Sequence, residues 1–244
     1  MKPWIAVRAI MVKDMRTYYL KPPNVSWGLI FPFAWMLMFY LRTGTPLDIP
    51  TLLPGVVSMS ILFGTTSLLA VTITFERRSS SFDRLLLAPI DLNLLMLAKT
   101  GGAILFGVVN AFVPILVAAF VVNLSNVDWP ALVGSILLTA ATSTFLGLLI
   151  SVTAREVFEA QTLSNFFRFP MLFLCGLFIP IAVLPIWLQP LAFALPLTYG
   201  TDILRVSIDG SGVMPMWVSF PALLVFAGGL FAASLWNIRR KWVG

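Results

Sequence analysis

The sequence predicts an all-α membrane protein with six transmembrane helices. Three observations predict it. Apolar runs of about 20 residues recur along the whole chain, the length a spanning helix needs. Charged residues make up 11% of the 244, against about 25% in an ordinary soluble domain. The charges fall between the apolar runs rather than in one patch. With 59% hydrophobic residues and a mean hydropathy of +0.95, a soluble fold would expose large sticky surfaces. A membrane β-barrel needs alternation over about 10 residues, and the runs do not alternate.

Residues 2–20 read as an interfacial helix. Trp4, Val7, Met11, Met15 and Tyr18 recur on one helical stripe, with Lys2, Lys13 and Arg16 opposite. Packing against a partner protein is the alternative. Lys21-Pro22-Pro23 then ends the helix. No small-residue cleavage site follows the first apolar run, so no removable signal peptide is expected.

The spans are expected at 25–41, with Trp27 and Tyr40 as interface anchors, then 52–75, 100–122, 131–153, 161–181 and 217–238. Each reaches roughly 25–36 Å at about 1.5 Å per residue. Pro32, Pro114 and Pro170 lie inside spans, where neighbouring helices can satisfy the freed carbonyls. The residues 182–212 hold Pro185, Pro190 and Pro196 and are too apolar for a free loop. They fit a re-entrant helical hairpin dipping into the outer leaflet; two further spans are the alternative.

Basic residues set the orientation. Lys2, Arg8, Lys13, Arg16, Lys21, Arg77, Arg78, Arg84, Lys99, Arg155, Arg239, Arg240 and Lys241 fall on one side of this arrangement. Only Arg42 and Arg205 fall on the other, and Arg168 lies within the fifth span. Both termini are therefore expected in the cytoplasm. The net charge of +6 is explained the same way, without nucleic acid. One domain, 1–244, is expected, with a cytoplasmic coupling region at 76–99.

Composition removes much chemistry. There is no His and a single Cys, Cys175, so imidazole bases, Ser-His triads, disulfides and cysteine-cluster metal sites are not expected. A phosphate-binding loop is missing too. The nearest Lys-Thr pair, Lys99-Thr100, has Ala98 and Asn93 where the motif needs glycine.

The most informative connection is Glu76-Arg77-Arg78-Ser79-Ser80-Ser81-Phe82-Asp83-Arg84-Leu85-Leu86-Leu87-Ala88-Pro89-Ile90. It opens with charges and closes on an apolar run ended by proline. It resembles the Glu-Arg-Glu…Leu-Leu…Ala-Pro-Ile stretch of permease subunits of type-2 ABC (ATP-binding cassette) exporters, the drug and polysaccharide export branch. The stretch from Gly176 to Pro180, then Leu184, Pro185, Trp187, Pro196, Thr198, Tyr199, Asp202 and Arg205, resembles the C-terminal signature of that family. The resemblance covers essentially the whole chain. The departures are Arg78, where an acid is usual, and the serines 79–81, where Gly-Thr is common.

The resemblance implies a role for each part. Residues 2–20 would be the connecting helix. Glu76, Arg77, Arg78, Phe82, Asp83 and Arg84 would belong to a coupling helix docked on a cytosolic ATPase, with Arg155, Glu156 and Glu159 as a second contact. Pro185, Trp187, Pro196, Tyr199 and Arg205 would close the pathway externally. Two ATPase subunits, a second permease copy forming a homodimer, and ATP with Mg bound by the ATPase would complete the machine; this chain would carry no catalysis or cofactor of its own.

Polar residues inside spans mark either a wet pathway or close packing. Ser58, Thr65 and Thr72 repeat every seven residues on one face of the second span. Gln161, Ser164, Asn165 and Arg168 share a face of the fifth, where an Arg beside amides points to a pathway or subunit interface, the alternative being that Arg168 snorkels to the cytoplasmic headgroups. No Asp or Glu is expected near mid-membrane. That weakens the alternative of a secondary transporter working without an ATPase. The apolar walls favour a hydrophobic, lipidic or glycan-linked substrate moved outward.

Overall fold

The computed structural model describes residues 3–43 and 49–243. Those residues form helices and turns without a strand. The helices are α1 (Pro3–Asp14), α2 (Pro22–Thr43), α3 (Ile49–Arg78), α4 (Ser81–Leu86), α5 (Leu92–Ala119), α6 (Trp129–Thr153), α7 (Val157–Leu174), α8 (Gln189–Phe193), α9 (Pro196–Asp209) and α10 (Met216–Ile238). A wide π turn, Met15–Tyr19, extends α1, and another, Arg239–Val243, extends α10. Lys2 and the side chains of Trp27, Tyr40 and Arg42 lie outside the described residues.

Four helices, α3, α5, α6 and α10, are long and apolar enough to cross a membrane. The centre of the bundle is α3, which packs against α2, α5, α6, α7 and α9. It is buried along most of its length, as an all-round apolar helix must be. Three of its hydroxyls help by bonding their own backbone: Ser60 to Val56 (3.0 Å), Thr65 to Ile61 (2.8 Å) and Thr74 to Ala70 (2.8 Å). At the crossing with α6, Gly147 lies so close to the Thr66 backbone that any Cβ would collide with it. Small residues at such crossings let backbones approach.

Helix boundaries depart from expectation at two places. The helix expected to start near Thr100 begins at Leu92, where Asp91 caps it by accepting from the Asn93 N–H (3.0 Å). Part of the expected 76–99 connection is therefore helix. The run expected through Ile181 stops at Leu174. Gly176 adopts a left-handed φ of 81°, which ends a helix. Arg205, on α9, donates to the freed carbonyls of Gly176 and Leu177.

The segment 182–212 is folded, not loose: α8 and α9 pack on α7, and α9 packs on α3, α6 and α10. Asp202 is buried on α9 and accepts from the N–H groups of Val213 (2.7 Å) and Met214 (3.2 Å) and from Ser219 (3.2 Å), which fixes the entry to α10.

One end of the bundle gathers the basic connections. The Trp242 ring packs edge-on against Phe82 (5.1 Å), and Arg77 lies over it (4.2 Å). Arg78 pairs with Glu156 (3.1 Å). The start of the chain reaches the same end through Lys13 and Glu76.

Candidate functional site

Two features meet at that basic end: a closed ionic knot and an open cavity. The knot starts with α1. The face of α1 turned inward is Ala6, Ile10 and Asp14, spaced by four residues, and it packs on α5. Of the expected stripe, Trp4 is 77% exposed, and Val7, Met11, Met15 and Tyr18 are half-buried beside this inward face. The exposed Trp4 and Ile5 instead form an apolar edge beside Arg8.

Asp14, at the end of the buried stripe, meets Glu76 and Lys99, and all three side chains are fully buried. Lys99 donates to Asp14 (3.1 Å) and to Glu76. Lys13 donates to Glu76 and lies 3.0 Å from Asp14. Lys13 stays largely exposed, as expected of the face opposite the apolar stripe, but its ammonium end reaches the two buried carboxylates and supplies them with a second cation. Burial opposes the Lys13 charge, but its bonds to Glu76 and Asp14 outweigh that and hold its pKa above the ordinary lysine value. Burial, followed by the nearby Glu76 charge, pushes the Tyr18 hydroxyl up. Two cations and two carboxylates close the knot, joining α1, α3 and α5.

The coupling residues separate into two groups. Glu76 and Phe82 are wholly internal, correcting their expected place at the surface: Glu76 is in the knot and Phe82 lies under Trp242. Arg77 is half-buried against Trp242. Arg78, Asp83, Arg84, Arg155, Glu156 and Glu159 are exposed. The Arg78–Glu156 pair brings the two expected contact segments side by side. Leu87 (86% exposed) and Phe158 (81%) add apolar points to this polar surface.

The cavity, about 670 Å³, lies between α2, α3, α7 and the turn after α1. That is within the range of about 300–1,000 Å³ for small-molecule sites. Gln161, Asn165 and Arg168 line it, as does Thr72. Ser58 and Thr65 do not: Ser58 bonds Thr201 on α9 (3.0 Å), and Thr65 packs against Gly107. The seven-residue repeat thus divides, two members packing and one lining. Phe31, Phe63, Phe75 and Phe169 supply the apolar wall, with Phe31 and Phe63 rings 4.4 Å apart.

The sequence did not reveal that the turn after α1 closes the cavity. Thr17, Tyr18, Lys21 and Asn24 line it, and Asn24 holds the turn by donating to the Tyr18 carbonyl (2.8 Å). Nor did it reveal Asp14 and Lys99 as a pair. The available signal was that Asp14 continues the Ala6–Ile10 spacing as the one acid in a basic segment.

Three of the residues expected to close the pathway externally act as braces. Tyr199 donates to the Phe193 carbonyl (2.8 Å), tying α9 to α8. Pro196 is buried at the start of α9, and Arg205 holds the turn after α7 through the Gly176 carbonyl. Pro185 and Trp187 are exposed.

The family described as ABC-2 type transporter matches residues 5–208, most of the chain. The chain belongs to that family. Its relatives agree. The "Inner membrane transport permease YadH" of Escherichia coli strain K12 is 24% identical over 239 residues, covering 91% of this chain and 90% of its own length. A protein of the same description in Shigella flexneri matches equally. The "Probable multidrug ABC transporter permease YbhR" of Escherichia coli is 23% identical over 190 residues, 77% of this chain and 52% of its own. As an ABC-2 permease the chain is a multi-pass membrane subunit of an ABC transporter, and such permeases are not themselves ATPases.

Proposed function

We propose that this ABC-2 permease is the membrane half of an exporter, working as a homodimer with two cytosolic ATPase subunits. It has six spans in the inner membrane, with α2 and α7 as the first and fifth, and both termini in the cytoplasm. The α8–α9 segment is the re-entrant external hairpin. ATP and Mg are bound and turned over on the partner; this chain supplies the route and the coupling surface.

One observation carries the reading. The same helix, α3, lines the cavity from Phe63 to Phe75 and ends directly in the α4 segment. A push on α4 therefore reaches the cavity wall through one continuous rod, with the ionic knot holding α1 and α5 to it. Exposed Arg78, Asp83, Arg84, Leu87, Phe158 and Glu159 are the docking surface. The apolar cavity wall favours a hydrophobic or lipidic substrate moved outward, and one relative is named a probable multidrug permease.

The test is co-purification with a cassette ATPase from the same genome, followed by ATP-driven transport in vesicles. Charge reversal belongs at exposed Arg78 and Arg84, not at buried Glu76. The expected result is weakened ATPase association with normal membrane insertion. Substrate pumping by the purified chain alone, or labelling of residue 84 from outside intact cells, would overturn the proposal.

A further inference from the structure

We propose that the cavity is built for an amphipath with an anionic headgroup, recognised by Arg168. The inference deepens the transport reading and rests on it only for the direction and fate of the ligand. Arg168 is 2% exposed, yet no carboxylate lies within ion-pairing distance of it among the described residues. Its Nη2 donates to Asn165 (2.8 Å) and its Nε to the Ser164 carbonyl (3.4 Å). Phe63 covers one face of the guanidinium at 4.6 Å. Nη1 donates to no protein acceptor among the described residues, so one edge of the fork is left for a ligand.

The surroundings fit one ligand chemistry. Lys21 is exposed at the rim, and the lining contains no Asp or Glu. Gln161 and Asn165 add amide groups, while Phe31, Phe63, Phe75 and Phe169 supply a wall for an apolar chain. A buried cation without a counter-ion is costly in a low-dielectric setting, and an entering anion relieves that cost. A guanidinium edge binds a phosphate or carboxylate by charge-assisted hydrogen bonds. A neutral or cationic drug would relieve nothing.

The test uses the permease with its ATPase in phosphatidylcholine nanodiscs. These carry spin-labelled phosphatidic acid or spin-labelled phosphatidylcholine of identical chains, and electron spin resonance reads the immobilised fraction. Wild type is expected to hold the acidic lipid about tenfold more strongly, the order of one charge-assisted bond. Arg168→Lys keeps most of that preference, Arg168→Gln removes it, and Lys21→Gln lowers it less. Asn165→Leu, which frees the guanidinium from its anchor, serves if Arg168→Gln does not survive purification; it is expected to reduce the preference.

Dodecyl phosphate should compete at concentrations where inorganic phosphate does not. Competition by inorganic phosphate at the same concentration would overturn the amphipath claim in favour of a free-anion site. Equal immobilisation of the two lipids, or a preference unchanged in both Arg168→Gln and Asn165→Leu, would overturn the headgroup claim itself. An Arg168-dependent preference without ATP-driven lipid movement in vesicles would support the headgroup claim while sinking the export reading. ATP-driven transport of another compound with equal lipid immobilisation would do the reverse.

Discussion

Lys99 and Arg168 are both buried cations, and the chain treats them in opposite ways. Lys99 sits between Asp14 and Glu76, with Lys13 completing the charge balance. Arg168 leans on an amide, a carbonyl and an aromatic face, beside open space. A closed ion pair resists separation and suits a joint that must move as one piece. An open cation suits a place where something is to be bound. The difference separates a braced joint from an open cavity, and the two meet at the same end of the bundle, both bordered by α3.

The comparison breaks first at Lys99. Lys99→Met leaves two buried carboxylates with only Lys13, and should cost about 3–5 kcal/mol, the range for removing one partner of a buried pair. Thermal unfolding in detergent reads it, with lower yield as the coarse sign. Arg168→Gln should cost less than Lys99→Met, about 1–2 kcal/mol, since hydrogen bonds to Asn165 and Ser164 are lost but no ion pair is. Similar losses in the two variants would mean that the two cations are held alike.

A double variant sharpens it. Glu76→Leu together with Lys99→Leu removes one carboxylate and one cation and leaves Asp14 with Lys13. The pair should be less destabilised than the sum of the singles by about 1–3 kcal/mol, as coupled neighbours in one network are. Additive losses would mean that the knot is not one unit.

The third prediction is at the surface. Phe158 is exposed and apolar beside the Arg78–Glu156 pair, so Phe158→Ala should weaken ATPase association by about tenfold, or about 1.4 kcal/mol. Pull-down titration reads it, and unfolding should be unaffected. Unchanged association would move the docking surface away from the 155–159 turn.

The sequence resolved what depends on local pattern and charge sign. The long apolar helices, the grouping of the basic connections and the polar face Gln161–Asn165–Arg168 all follow from spacing along one helix. What escaped depends on distant segments meeting. Asp14 and Lys99 are 85 positions apart; Asp14 lay within the interfacial segment, and Lys99 looked like an ordinary end-of-span charge. Ser58, Thr65 and Thr72 share a helical face, but that face passes α9, α5 and the cavity in turn, so one pattern served two purposes. The stop at Leu174 depended on Gly176 adopting a left-handed turn inside an apolar run, where hydropathy gives no warning.

The smallest effect expected concerns pH. The Lys13 pKa is raised in the folded protein above 10.5, its ordinary value. The unfolded chain therefore loses the proton first as pH rises. The stabilising contribution is fully present below about 10.5 and is lost only as pH climbs through the higher folded value. Lys13→Met should thus lower thermal stability by an amount that stays constant from neutral pH to the ordinary lysine range. Above it, the wild-type and variant melting curves should converge. Because Lys13 is partly exposed, salt screening should shrink the gap as well. A gap that changed between pH 6 and 9 would assign the effect to some other group, and would mean that Lys13 is not the second cation of the knot.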